Sequence, residues 1–135
     1  MIKYQLDKSG LNQLTIKLSK VRNLQPVLKE IGQNLEASTK NRFNQGKDPE
    51  NNKWKPSKRV LRQGKGRTLV ETGRLQKSIS YRADKYEVNV GTDIEYADKH
   101  QDGLEGLPKR SFLGISDKDR TKIENIVRRF LDAIF

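Results

Sequence analysis

The sequence predicts an α+β domain, with N-terminal helices, a small antiparallel sheet built on a central β-hairpin, and a C-terminal helix packed on it. Three observations predict it. Leu24, Leu28, Ile31 and Leu35 recur at helical spacing. Ser78-Ile79-Ser80-Tyr81-Arg82 and Tyr86-Glu87-Val88-Asn89-Val90 alternate polar and apolar around the short polar link Ala83-Asp84-Lys85. Ser116-Asp117-Lys118-Asp119 reads as a capping box ahead of an apolar stripe, Ile123, Ile126, Val127, Phe130, Leu131 and Ile134. At 135 residues the chain is expected to form a single domain. Within it, 1–44 is a helical N-terminal part, 45–67 a long basic loop, 68–115 the hairpin and sheet, and 116–135 the last helix.

Taken in order, residues 2–6 alternate loosely and suggest a short strand. After Ser9-Gly10, the spacing of Leu11, Leu14, Ile16, Leu18 and Val21 predicts a short helix over about 9–21. Asn23 offers an N-cap for the next helix, and Pro26 falls in its first turn, where a missing N–H costs nothing. That helix ends near Asn44, with Gly46 as its terminator and Lys29, Glu30, Glu36, Lys40 and Arg42 on its polar face.

Residues 45–67 hold Pro49, Pro56, Asn51-Asn52, Gly46, Gly64 and Gly66, which is turn and loop chemistry. Trp54, and then Val60 and Leu61, are its expected anchors to the body. Thr72-Gly73 makes a turn that sets up a strand from Leu75, and Gly91 ends the hairpin. Ile94 to Gln101 forms one or two helical turns closed by Gly103, and Arg110-Ser111-Phe112-Leu113 re-enters the sheet. Tyr96 and Phe112 are expected core residues. Phe135 closes the chain on an apolar side chain, which favours docking of that end.

Composition narrows the function. The chain has 28 Lys+Arg against 17 Asp+Glu, a formal net charge of +11, no cysteine and one histidine. Disulfides and thiolate metal sites are thereby excluded. No apolar run is long enough to span a bilayer, so no membrane contact is expected. The opening residues carry no apolar signal region, and export is not expected. All of the excess charge lies in residues 1–67, with 16 Lys+Arg against 5 Asp+Glu, whereas 68–135 hold 12 of each. Its densest stretch holds Lys53, Lys55, Lys58, Arg59, Arg62, Lys65 and Arg67 with no acid among them. That calls for an anionic partner. No base-reading module accompanies the run, so any contact with DNA would be to backbone and insensitive to sequence.

Enzyme signatures are weak. Gly64-Lys65-Gly66-Arg67 lacks the third glycine and the flanking strand and helix of a phosphate-binding loop. Asp117 and Asp119 lack the glycine and distal glutamate of a calcium loop, and capping explains them. His100, beside Tyr96, Asp98 and Gln101, is better read as a packing residue than as a base. No cofactor and no catalytic residue is expected.

A longer string of features carries a resemblance. Arg42-Phe43 closes a helix, and Asp48-Pro49 and Trp54-Lys55-Pro56 follow. After the basic stretch come Leu69-Val70-Glu71-Thr72-Gly73-Arg74-Leu75 and Ser78-Ile79-Ser80. Beyond the hairpin lie Val90-Gly91-Thr92, Tyr96-Ala97, His100-Gln101-Asp102-Gly103 and Pro108-Lys109-Arg110-Ser111-Phe112-Leu113-Gly114. In order and spacing, about 43–114 resembles the phage virion morphogenesis (tail completion) family. The chain departs from that pattern where a glycine usually follows Asp-Pro, with Glu50-Asn51-Asn52 in its place.

The resemblance implies a non-enzymatic structural protein of a phage or prophage, acting at tail completion or head–tail joining. It would assemble as a homo-oligomeric ring and bind other tail or neck proteins. Its place would be the virion, at the tail or head–tail junction, and the host cytoplasm during assembly. The residues expected to meet a neighbouring subunit or an anionic partner are Lys53, Trp54, Lys55, Lys58, Arg59, Arg62, Lys65, Arg67, Arg74 and Arg110. The structural motif is Phe43, Pro49, Pro56, Gly73, Leu75, Gly91, Tyr96, His100, Gln101, Gly103 and Phe112. The rival reading is a small, sequence-nonspecific DNA-binding accessory protein.

Overall fold

A computed structural model describes residues 3–7, 13–17, 24–64, 66, 68, 73–94, 97–103 and 108–134. Four strands, β1 (Lys3–Asp7), β2 (Gln13–Lys17), β3 (Ser80–Ala83) and β4 (Glu87–Gly91), form one antiparallel sheet in the order β1-β2-β4-β3. Five helices complete the described elements: α1 (Gln25–Gln45), α2 (Lys58–Gln63), α3 (Arg74–Ser78), α4 (Ala97–Asp102) and α5 (Asp117–Ile134).

The expected strand at the N-terminus and the hairpin are both present. The helix expected over 9–21 is not: Gln13–Lys17 is the second strand. Leu14 and Ile16 are buried, and they pair with Val90 and Val88 on the same face of β4. The period-two pair Leu14–Ile16, with β-branched Thr15 and Ile16, outweighs the looser helical spacing of the leucines, because β4 offers a paired ladder. The hairpin turn is tied by Asp84, whose Oδ1 accepts the N–H groups of Tyr86 and Glu87 at 2.8 Å each.

Helix α1 forms the second layer. Pro26 lies in its first turn, as expected. Gly46 ends it in the left-handed region at φ 66°, where its N–H donates to the Arg42 carbonyl at 2.7 Å. Val27, Leu28, Ile31 and Leu35 are buried on one stripe of the helix. Each such side chain contributes about 1.5–3 kcal/mol on leaving water. Gly32 permits the close approach of helix to sheet. A Cβ there would sit 2.8 Å from Cγ of Tyr81 and 2.9 Å from Cγ2 of Val88. Helix α5 lies against α1, so the sheet carries it through α1, and Ile123 and Ile126 join the core. The capping box is reciprocal: Asp119 N–H donates to Ser116 Oγ at 2.9 Å, and Ser116 N–H donates to the Asp119 carboxylate at 3.2 Å.

Three further expectations are corrected. Gly73 takes its positive φ of 76°, but Leu75 then sits in the helical turn α3 rather than in a strand, which starts at Ser80. Arg110–Leu113 stays outside the sheet, because the N–H groups of Arg110, Phe112 and Leu113 are taken by α4. Lys58–Gln63, read as loop, is a short helix capped at both ends. Asn23, Tyr96 and Phe135, with Leu11, Leu18 and Val21, lie outside the described residues.

Gly32→Ala tests the helix–sheet contact. The gain in helix propensity is about 1 kcal/mol, while forcing Tyr81 and Val88 aside costs about 1–3 kcal/mol. A net loss of stability is expected in a denaturant titration, with an unchanged m-value.

Candidate functional site

The site grows from the last turn of α1. Arg42 is only 5% exposed. Its guanidinium pairs with the Asp119 carboxylate and donates through Nη1 to the Phe112 carbonyl at 2.8 Å. Ser38 Oγ donates to the other Asp119 oxygen at 2.7 Å. Burial pushes the Arg42 pKa below its ordinary value, and the charge of Asp119 opposes that shift. One carboxylate thus serves two structures, the capping box of α5 and a buried cation of α1.

The next residue, Phe43, is fully buried and touches two other rings. Trp54 meets it edge-on with centroids 5.5 Å apart, and Phe112 lies tilted at 5.4 Å. Trp54 Nε1 donates to the Ser111 carbonyl at 2.8 Å, so its polar edge is satisfied. The segment between Gly46 and Trp54 closes on itself: Trp54 N–H donates to the Gly46 carbonyl at 2.7 Å, and Lys47 bridges to Lys53. Asp48 Oδ1 accepts the N–H groups of Glu50 and Asn52 at 2.9 and 2.8 Å. Asn51 takes φ 72°, the left-handed conformation that a glycine would otherwise supply. Pro49 packs on Gly114, where a Cβ would come within 2.7 Å of its ring.

Helix α4 holds the opposite side. The Gln101 side chain is buried, and its Oε1 accepts the N–H groups of Phe112 and Leu113 at 3.0 Å each. Its Nε2 donates to the Leu113 carbonyl at 3.1 Å. The neighbouring His100 carbonyl accepts Arg110 N–H at 2.6 Å, and Gly103 ends α4 at φ 70°. Arg110 itself is 5% exposed. Its Nε donates to the Lys55 carbonyl at 2.8 Å and its Nη2 to that of Pro56 at 3.4 Å. Burial lowers its pKa.

Above this platform stands a basic lobe. Its ends are joined where Ser57 N–H donates to Thr68 Oγ1 at 3.1 Å. Ser57 Oγ caps α2 by accepting Val60 N–H at 3.2 Å, and Gly64 closes the helix in the left-handed region. No residue of α2 is buried, and Leu61 is 67% exposed. Lys53, Lys55, Lys58 and Arg62 are exposed, while Arg59 is half-buried and reaches over Gly66.

A family model for phage virion morphogenesis proteins matches residues 6–132. The chain belongs to the phage virion morphogenesis family. Neither a curated protein nor a solved structure matches it. For this virion morphogenesis protein, membership accounts for a structural role in building a phage particle. No described helix is long and apolar enough to cross a membrane.

Among the expected residues of this family member, Phe43, Pro49, Trp54, Pro56, His100, Gln101, Arg110 and Phe112 converge on the platform. Trp54 is buried, as expected of an anchor of the loop, and Arg110, expected at an interface, is also turned inward; both fasten the segment that carries the lysines. Leu61 was expected to anchor the loop and instead faces solvent. Arg74 is exposed at the first position of α3, and Leu75 is buried behind it. Gly91 closes β4, opposite Ser80 and Gln13. Lys65, Arg67 and the run 69–72 lie outside the described residues. Sequence reading placed Arg42 among the solvated charges of α1 and missed its burial. The available signal was its position beside Phe43, at the last turn of a helix with Asp119 still to be placed.

Removing one partner of the Arg42–Asp119 pair leaves the other charge buried. Arg42→Ala and Asp119→Ala should each cost about 3–5 kcal/mol. The double variant should cost less than the sum of the two. A double-mutant cycle by urea unfolding checks this, and strict additivity would show that the two residues are not coupled.

Proposed function

We propose that this protein acts at tail completion or head–tail joining, as a ring of several copies whose work is done by protein–protein contacts. Family membership over 6–132 supports the virion role. The observation that carries the assembly reading is that α2 stands outside the core with no residue buried. A six-residue helix gains little stability by itself, so it is a contact element rather than a piece of the fold. A second surface points the same way. The apolar stripe of α5 outruns its cover: Ile123 and Ile126 are buried, Phe130 is half-buried, and Leu131 is 43% exposed. An apolar stripe that continues past its own core is finished by a neighbour.

In this reading the platform fixes where the lobe stands, and ring closure covers Leu61 and Leu131. Two contacts on different faces of one protomer make a heterologous interface, which closes into a ring when the rotation between copies allows it.

Mass photometry of the purified chain should give a multiple of 15.6 kDa. Leu61→Asp and Leu131→Asp should shift it to smaller species while leaving the melting temperature within a few degrees. A strict monomer, also with tail proteins present, would sink the ring and leave the sequence-nonspecific DNA-binding accessory as the better reading.

A further inference from the structure

Two buried arginines in this fold are treated differently. Arg42 is neutralised by Asp119. For Arg110, no carboxylate pairs with it among the described residues. Its guanidinium is held by the backbone carbonyls of Lys55 and Pro56. A buried cation held by carbonyls keeps its field, and a low-dielectric surrounding screens it poorly. That field emerges where Lys53, Lys55, Lys58 and Arg62 are exposed, in a stretch without acids. The tie between Arg110 and Lys55 also brings a residue from a distant part of the sequence to this surface. Lys109, exposed and adjacent to Arg110, joins the four cations of the lobe.

We infer that Lys53, Lys55, Lys58, Arg62 and Lys109 form a binding site for the phosphate backbone of nucleic acid, with Arg110 as the buried charge beneath it. The cations come from an extended segment, a short helix and a second loop, so they make a broad strip rather than one helical stripe. Such a strip suits a ligand with regularly repeated charge along its length. It includes no aromatic side chain for base stacking, since Trp54 is buried, and no described element enters a groove as a reading head. Binding is therefore independent of sequence and dominated by counterion release. Leu61 is not needed for it, which separates this ligand from an acidic protein surface with an apolar pocket. The inference does not depend on ring formation.

The test is fluorescence anisotropy of the full chain on two 30-base-pair DNA duplexes, one A·T-rich and one G·C-rich, over a salt series. Five neutralised phosphates give a slope of log K against log salt of about −4.5 per engaged protomer, or about a 500-fold loss of affinity from 50 to 200 mM. Lys109→Ala should flatten the slope by about 0.9, and Lys58→Ala should do the same. Both duplexes should bind alike, and mass photometry should be unchanged in the two lysine variants, so that a flattened slope reports lost phosphate contacts. Absence of binding at 50 mM salt, or slopes that neither lysine variant alters, would overturn the inference. So would poly-glutamate competing as well as DNA, a result that would assign the surface to an acidic protein.

Discussion

A single buried charge organises the middle of this protein. The guanidinium of Arg42 sits at the end of α1, buried beneath the start of α5. An unpaired cation there would cost several kcal/mol. It is tolerable because Asp119 comes to it from the first turn of α5, and because the Phe112 carbonyl takes one of its donors. These two requirements set where α5 begins and where the 110–114 segment passes. Phe43, one residue along, then has a fixed location, and Trp54 and Phe112 close around it. Burial works against the charge on Arg42 and the carboxylate sustains it, so the contact carries specificity of geometry more than net stability.

The consequence is a division of labour between halves of the molecule. Below lies a layered body, sheet, α1 and α5, whose apolar residues make one continuous core. Above lies a lobe whose described residues take no part in that core and whose ends are joined at Ser57 and Thr68. Gln101 and Arg110 make this attachment in different ways. Gln101 replaces the missing sheet partners of Phe112 and Leu113, while Arg110 grips the carbonyls at the entry to the lobe. A segment held by its base, with its helix in solvent, belongs to the low-stability end of the structure. Contact surfaces that become ordered in an assembly are drawn from such segments.

How far the sequence could be read follows from where its signals compete. The hairpin, α1 and α5 carry their own local instructions: the polar link Ala83-Asp84-Lys85, Pro26 and Gly46 at the ends of α1, and the Ser116–Asp119 box. Each of these matches the structure. At Leu14–Ile16 two periodicities coexist, and only the presence of β4 decides between them. The platform posed a different problem. Its parts, Phe43, Pro49, Trp54, Gln101, Arg110 and Phe112, could be recognised as a pattern, but the direction in which Trp54 and Arg110 point depends on contacts 57 and 55 positions away in the chain. Arg110 therefore turned inward where a surface position was expected, while Trp54 took the anchoring place expected of it. Asn51 shows the reverse case, where a departure from the family's pattern is harmless because asparagine also tolerates the left-handed backbone.

Native-state hydrogen exchange tests the central claim most directly, because it reads the platform and the lobe separately in the same molecule. The amides of Phe112 and Leu113 belong to no helix or strand, and both donate to the buried Gln101 side chain. If the platform is as rigid as the core, they will exchange as slowly as the protected amides of β4. The amides of α2 from Leu61 to Gly64 will meanwhile exchange by local opening, faster by orders of magnitude. Exchange of Phe112 and Leu113 at the rate of α2 would contradict the account, since the lobe would then stand on a base as mobile as itself.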